Sequence, residues 1–467
     1  MATPYSKDNP FLRGPFEPIR MECDCADLIV EGVIPADLRG SLYRIGPNPQ
    51  FAPRGVYNPL QGDGMIHQFR IESGRVSYRN RWVRTRQWML EREAGRALFS
   101  TSDPRNVDPS VASEVGEGAA NTHIVRHAGR LLALEEGHAP IEIDAETLQT
   151  RGVFTFGGLL PGAMTAHPKI DPKTGEMIFF TNFPTRQFNG ELAFHIADAS
   201  GKIVRSGIIP GPYPALVHDC AITRDHLVFI LCPVTLSLER IRSGQAPIAW
   251  EPNRGAYVGV MDRMGNGSDI RWFSAPPCMV WHTLNAFGHG DKIIMDVCQQ
   301  ETPAFPSADG SPPLEEAQRQ YLTRWTIDPS ANKVGVERLS DVVCEYPRID
   351  DRVCGLPYRY GFLAALGGPG TKDLSHRAIA RFDHETSEMQ IWKARPQEAV
   401  SEPVFAARPG STDEGDGYLL ATIFDEDRNV SCLTIFDAQQ IEAGPIARAH
   451  LDHRLPAGFH GSFVASA

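Results

Sequence analysis

Several things are missing from this 467-residue chain, and each absence removes a class of function. No stretch of 18 or more apolar residues occurs, so no membrane-spanning helix is expected. The first residues, Met1-Ala2-Thr3-Pro4-Tyr5-Ser6-Lys7-Asp8, lack an apolar signal core. Basic residues are outnumbered: net charge is −11 and the isoelectric point about 5.8, which argues against a nucleic-acid partner, since that calls for a basic face. The nine cysteines are odd in number and scattered, with Cys23 and Cys25 the only close pair and no Cys-x-x-Cys. That speaks against a disulfide framework or zinc knuckle and for a cytoplasmic setting. No clear dinucleotide fingerprint is present. Helical patterns are also scarce; the two candidates are Gln87–Phe99 and Pro313–Trp325, the latter with Pro313 near a first-turn position and Glu315 and Glu316 at its N-terminal end.

What remains is mostly short β-type runs: Leu131–Leu134, Glu176–Thr181, Leu227–Cys232, Lys292–Val297, Tyr418–Phe424 and Ser431–Phe436. Glycine (42) and proline (37) are spread between them as turns, not gathered into a linker. Many strands and few helices indicate an all-β sandwich, barrel or propeller. No domain boundary is evident, so residues 1–467 are expected to form a single domain. The proline-rich stretch 301–313 reads as a surface loop, either a plain connection or a lid over a substrate mouth.

A weak internal repeat narrows the choice. His123, His167, His218 and His282 each lead through an apolar strand and a turn into a second apolar strand, and Glu402 does the same. An all-β period of about 40–50 residues suggests propeller blades. In such a fold the innermost strands converge on one axis, so polar residues distant in sequence meet there. Imidazole suits iron, zinc, copper and nickel, but no His-x-x-x-His or His-x-Glu spacing surrounds these histidines. The repeat alone nominates His123 as readily as the others.

Ordered phrases go further. Gly40-Ser41-Leu42-Tyr43-Arg44-Ile45-Gly46-Pro47-Asn48-Pro49, Gly62-Asp63-Gly64-Met65, Ala166-His167-Pro168-Lys169, His218-Asp219, Trp281-His282-Thr283 and Phe459-His460-Gly461 occur in this order. Together they resemble the carotenoid cleavage oxygenase family, which includes stilbene and phenylpropene cleavers. The resemblance runs from about residue 10 to Ala467. It implies an all-β, seven-bladed β-propeller with short helices and loops capping the iron-site face. It also implies iron(II), Fe(2+), on His167, His218, His282 and His460, and it leaves His123 out. Glu136, Glu345 and Glu402 match the family's carboxylates behind the ligand imidazoles, and Thr122 matches a threonine near a vacant coordination position. Three carboxylates cannot serve four histidines singly.

By the same resemblance, the reaction is insertion of dioxygen across an alkene to give two carbonyl products, with no external reductant. The expected partners are O2 and a small apolar alkene. Stilbene and isoeugenol cleavers of the family carry Ala-x-Lys-Glu-Asp, whose lysine can bind a phenol. This chain has Ala133-Leu134-Glu135-Glu136-Gly137, and its Thr101–Asn106 stretch lacks the tyrosine found there in those enzymes. Both departures favour an apocarotenoid or similar polyene, with a phenolic stilbene or phenylpropene as the alternative. Two further readings are an isomerohydrolase using iron as Lewis acid and a propeller serving only as an interaction platform. Phe69, Trp281 and Phe459 are candidates for tunnel lining or for core. Pro233–Ile241, with Leu236, Leu238 and Ile241, is a candidate for peripheral membrane contact.

Overall fold

The computed structural model describes residues 4–100, 106–114, 116–160, 162–185, 189–313, 316–366 and 375–466. Residues 101–105 of the stretch compared above therefore lie outside it. Two compact units are present. The first comprises Met1–Pro161, Asp373–Ala378 and Trp392–Ala467, and the second Gly162–Lys372 and Ile379–Ile391. Both are built from antiparallel sheets, and helices are few and short. Among the described residues no helix is long and apolar enough to cross a membrane.

In the first unit, Gly40–Pro47, Gly64–Glu72 and Arg75–Trp82 form a meander, and Gly461–Ala465 pairs with the free side of Gly40–Pro47. A second sheet runs His123–His127, Arg130–Leu134, Ile141–Ile143, Thr150–Val153. A third joins Val404–Ala407, Gly417–Asp425, Val430–Asp437 and Pro445–His450. In the second unit the same pattern recurs. One sheet is Lys169–Ile170, Met177–Asn182, Glu191–Ala197, Ile203–Pro210, and another is Cys220–Ile222, His226–Leu231, Ala256–Asp262, Arg271–Ala275. A seven-stranded sheet starts at Met279–His289 and passes through Lys292–Gln300, Tyr321–Asp328 and the long Lys333–Arg348 to Tyr360–Ala365 and beyond.

The turns explain why short sequence intervals suffice. Asp144, Asp171, Asp198 and Asp328 each accept backbone N–H bonds from residues two to four positions on. Such side-chain turns reverse the chain within a few residues. Alternation then buries one face of each strand. Phe69, Phe179, Phe180, Phe229 and Phe273 are fully enclosed, so Phe69 belongs to the core of the first unit and not to a tunnel wall.

One predicted helix is present and one is not. The first forms over Arg86–Ala94, capped by the Thr85 side chain and closed by Gly95 in the left-handed region. Among the described residues of Pro313–Trp325 there is a 3₁₀ turn at Glu316–Gln318, followed by the strand Tyr321–Asp328. Aromatic and β-branched residues at alternating buried positions outweigh the proline and glutamate signals upstream. Trp325 is fully buried there and its indole N–H donates to Gln299 Oε1 at 2.7 Å. The loop 301–313 is tied down rather than loose: Pro306 O accepts from Trp250 N at 2.9 Å, and Phe305 rests on Trp281.

Candidate metal centre

In the second unit three histidines meet. His167 precedes the strand Lys169–Ile170, His218 precedes Cys220–Ile222, and His282 lies within Met279–His289. His167 Nε2 and His218 Nε2 are 3.1 Å apart. The His282 ring lies 4.8 Å from His167 and 5.2 Å from His218, centroid to centroid. The strand carrying His282 is irregular: its pairing register shifts between Val280 and Thr283 and again between Thr283 and Asn285. Irregularities of this kind re-aim side chains, and here they turn Trp281 and His282 toward the other two imidazoles. Trp281 meets the His218 ring edge-on at 4.8 Å.

Glu345, nearly enclosed, faces His282 Nδ1 at 2.7 and 2.8 Å. A carboxylate only accepts, so Nδ1 carries the proton and Nε2 keeps its lone pair. The Tyr346 backbone N–H also binds Glu345, and the Tyr346 ring stacks on His282. Tyr346 has a φ of 53°, a left-handed conformation that a non-glycine residue holds only where its surroundings impose it.

The first unit holds the remaining predicted residues. His460 donates through Nδ1 to Glu402 Oε1 at 2.9 Å. Glu402 Oε2 accepts from Gly461 N at 2.8 Å and from Arg44 at 3.1 Å, and Arg44 also bonds Phe459 O at 3.0 Å. The His460 N–H donates to Thr122 O, and Thr122 N–H to Leu134 O. The Thr122 hydroxyl donates to Asn121 Oδ1 at 3.0 Å. Glu136 is half-buried two residues past Leu134. His123, which the repeat nominates and the resemblance omits, has its ring 5.3 Å from that of His460. Arg44 and Tyr346 were not singled out as site residues, although Arg44 lies inside a quoted phrase and Tyr346 directly follows Glu345.

Glu135 is not a bare acid: it bonds His138, three residues on. Burial pushes the His138 imidazole down, but the bond to Glu135 and its charge outweigh this and hold it above the ordinary value. The backbone of Gly118 lies so close to this pair that a Cβ there would strike both side chains.

The donor chemistry suits a transition metal. Two buried imidazoles and the half-buried His282 lie ring against ring, and the carboxylate beside them is committed to Nδ1 of His282. All-imidazole sets bind divalent first-row metals.

Comparison with known proteins agrees. A family model described as retinal pigment epithelial membrane protein matches residues 16–465. The chain is 36% identical to isoeugenol monooxygenase of Pseudomonas nitroreducens, over 98% of each chain. It is 30% identical to carotenoid 9,10(9',10')-cleavage dioxygenase 1 of Arabidopsis thaliana, over 97% of this chain and 89% of that one. The crystal structure of Pseudomonas brassicacearum lignostilbene dioxygenase superposes with a TM-score of 0.95 at 33% identity, covering all of both chains. Histidine phrases, all-β meanders and full-length similarity together show that the chain belongs to the carotenoid cleavage oxygenase family.

Proposed function

We propose that this protein is a non-haem iron(II) oxygenase that cleaves an alkene C=C bond with dioxygen into two carbonyl products, and that its alkene is conjugated to a phenolic ring, as in isoeugenol or a stilbene. The observation that carries the reading is the meeting of His167, His218 and His282, with Glu345 holding His282. His460, tied by Glu402, supplies the fourth imidazole by its motif. Bound Fe(2+) supplies the activation of dioxygen that a closed-shell alkene needs. The chain's own groups hold the proton on Nδ1 of His282 and His460, so that Nε2 is the ligand atom. Glu136 is assigned the same task for a third imidazole. Thr122, its hydroxyl engaged by Asn121, is assigned by its motif a place beside a vacant coordination position. The recurring four-stranded meanders support a single seven-bladed propeller capped by loops.

Two observations favour the phenolic alkene over the polyene. The isoeugenol and lignostilbene enzymes are more similar to this chain than the carotenoid enzyme is. The Glu135–His138 pair also changes the electrostatics: a carboxylate bonded to an imidazole whose proton affinity it raises repels a phenol less than a lone acid would. An apocarotenoid remains the second reading, carried by the missing lysine. Leu238 and Ile241, both more than 40% exposed on a short helix beside Arg240 and Arg242, support peripheral contact with a bilayer.

The test is mass spectrometry after aerobic incubation of iron-loaded protein with isoeugenol, resveratrol and an apocarotenal. Aldehydes from isoeugenol or resveratrol are expected. Cleavage of the apocarotenal alone refutes the phenolic reading and puts the polyene first. Failure to retain roughly one iron per chain refutes the iron chemistry on every substrate.

A further inference from the structure

Behind the three histidines of the second unit lies a buried polar knot. Asp219, next to His218, is almost fully enclosed. Its Oδ1 accepts from Lys169 Nζ at 2.8 Å and from Cys220 N at 2.7 Å. Its Oδ2 accepts from Thr283 N and from Thr283 Oγ1, both at 2.8 Å. A carboxylate offers about four lone-pair positions, and here four donors occupy them. Asp219 has no capacity left to bind a metal or carry a proton during turnover.

The partners' places in the chain give the knot its meaning. Lys169 is two residues from His167, Asp219 one from His218, and Thr283 one from His282. The Thr283 N–H belongs to the same rigid peptide plane as the His282 carbonyl, so fixing that N–H fixes the backbone direction from which the His282 ring projects. The four donors come from three strands, and each strand closely follows or contains one of the clustered imidazoles. Pairing of Lys169 with Asp219 also leaves the knot itself without net charge, so it adds no electrostatic penalty to binding a cation.

We propose that Asp219 is a positioning residue: with Lys169 and Thr283 it locks three histidine-bearing strands together so that their imidazoles meet at metal-binding separation. The proposal rests on reading His167, His218 and His282 as metal ligands. Outer partners of this kind typically account for about 10–100-fold in metal affinity.

Cobalt(II) is the probe, titrated into full-length metal-free protein against a chelator, with its visible d–d spectrum and the melting temperature of the metal-free protein recorded in parallel. Asp219→Asn keeps the shape but puts an amide N–H₂ against a donor. It is expected to weaken cobalt(II) binding about 10–100-fold and to alter the spectrum. Thr283→Val, close in volume, should weaken binding several-fold, and Thr283→Ser, which restores the hydroxyl, should bind within about twofold of the parent. Glu398→Gln is the control. It breaks a buried carboxylate bonded to Arg395 and Arg448 in the first unit, and should lower melting while leaving cobalt affinity alone. If Asp219→Asn and Thr283→Val only lower melting, with parental affinity and spectrum, the positioning role is refuted. If Asp219→Asn does not fold, Thr283→Val decides by the same criterion. A parent that binds no cobalt(II) overturns the ligand assignment itself, and the positioning role with it. A parent that binds alongside an Asp219→Asn protein that binds equally well overturns only the latter.

Discussion

Replacing Glu402 by glutamine removes one charge and almost no volume. Glu402 is 1% exposed and Arg44 is 4% exposed. The carboxylate spans three donors: His460 Nδ1, Gly461 N and Arg44. Glutamine offers one acceptor oxygen and turns an N–H₂ toward whichever donors the oxygen does not face. Arg44 is then a buried guanidinium without its counter-ion, and removing one partner of such a pair costs about 3–5 kcal/mol. For a chain of this length the unfolding entropy is on the order of 1 kcal/mol per kelvin, so melting should fall by roughly 3–5 °C. Cobalt(II) or iron(II) affinity should fall about 10–100-fold, because His460 loses the acceptor that orients it. The two effects separate in a cycle with Arg44→Met. The double variant should recover most of the stability, since no unpaired charge remains, but none of the metal affinity. Differential scanning calorimetry and chelator competition read the two quantities. Melting within 1 °C of the parent would show the ion pair to be dispensable, and unchanged metal affinity would sink the orienting role of Glu402.

Further outcomes follow from other parts of the molecule. His218→Ala should lose bound iron by elemental analysis, while His289→Ala, exposed at a hairpin turn, keeps it; retention of iron by His218→Ala would remove that residue from the ligand set. Burial pushes the Asp63 carboxyl up to about 8, and the charge of Glu91 adds to this. The folded state therefore holds a proton that the unfolded chain releases near pH 4, so this stabilisation is full below that pH and lost as pH rises through 8. Melting of the metal-free protein should decline between pH 5 and 8.5, and Asp63→Asn should flatten that slope; an unchanged slope would contradict it. Gly118→Ala places a Cβ against Glu135 and His138 at a φ of 79°, and should cost roughly 1–3 kcal/mol in urea unfolding. A neutral result would mean that the Glu135–His138 pair moves aside freely.

Much of this was readable beforehand because the information is local. The strands at Leu131–Leu134, Leu227–Cys232 and Tyr418–Phe424 announce themselves as β-rich runs between glycine and aspartate turns. The structure then places them within a residue or two. The histidine phrases were legible through their neighbours, not through spacing, since the partners are 50 or more residues apart. Pro313–Trp325 misleads because helix-start signals precede a strand whose pairing partners lie elsewhere in the chain. The register irregularity around Trp281 and His282 leaves no local mark, nor does the capture of Glu135 by His138. Lys169, Asp219 and Thr283 stood inside the quoted phrases, but only three-dimensional proximity reveals that they meet.

The pairing of Gly461–Ala465 with Gly40–Pro47 has a consequence for synthesis. Arg44 and the Phe459 carbonyl it binds are 415 residues apart. At about 5–20 residues per second on the ribosome, the earlier strand waits roughly 20–80 seconds with one edge unpaired. The strand that covers that edge arrives together with His460. Closing the sheet and delivering this imidazole are thus a single late event in the life of the nascent chain. Until then the exposed edge is a client surface for chaperones and a template for unwanted strand addition. Any part that His460 takes in holding a metal can begin only after this strand has been made.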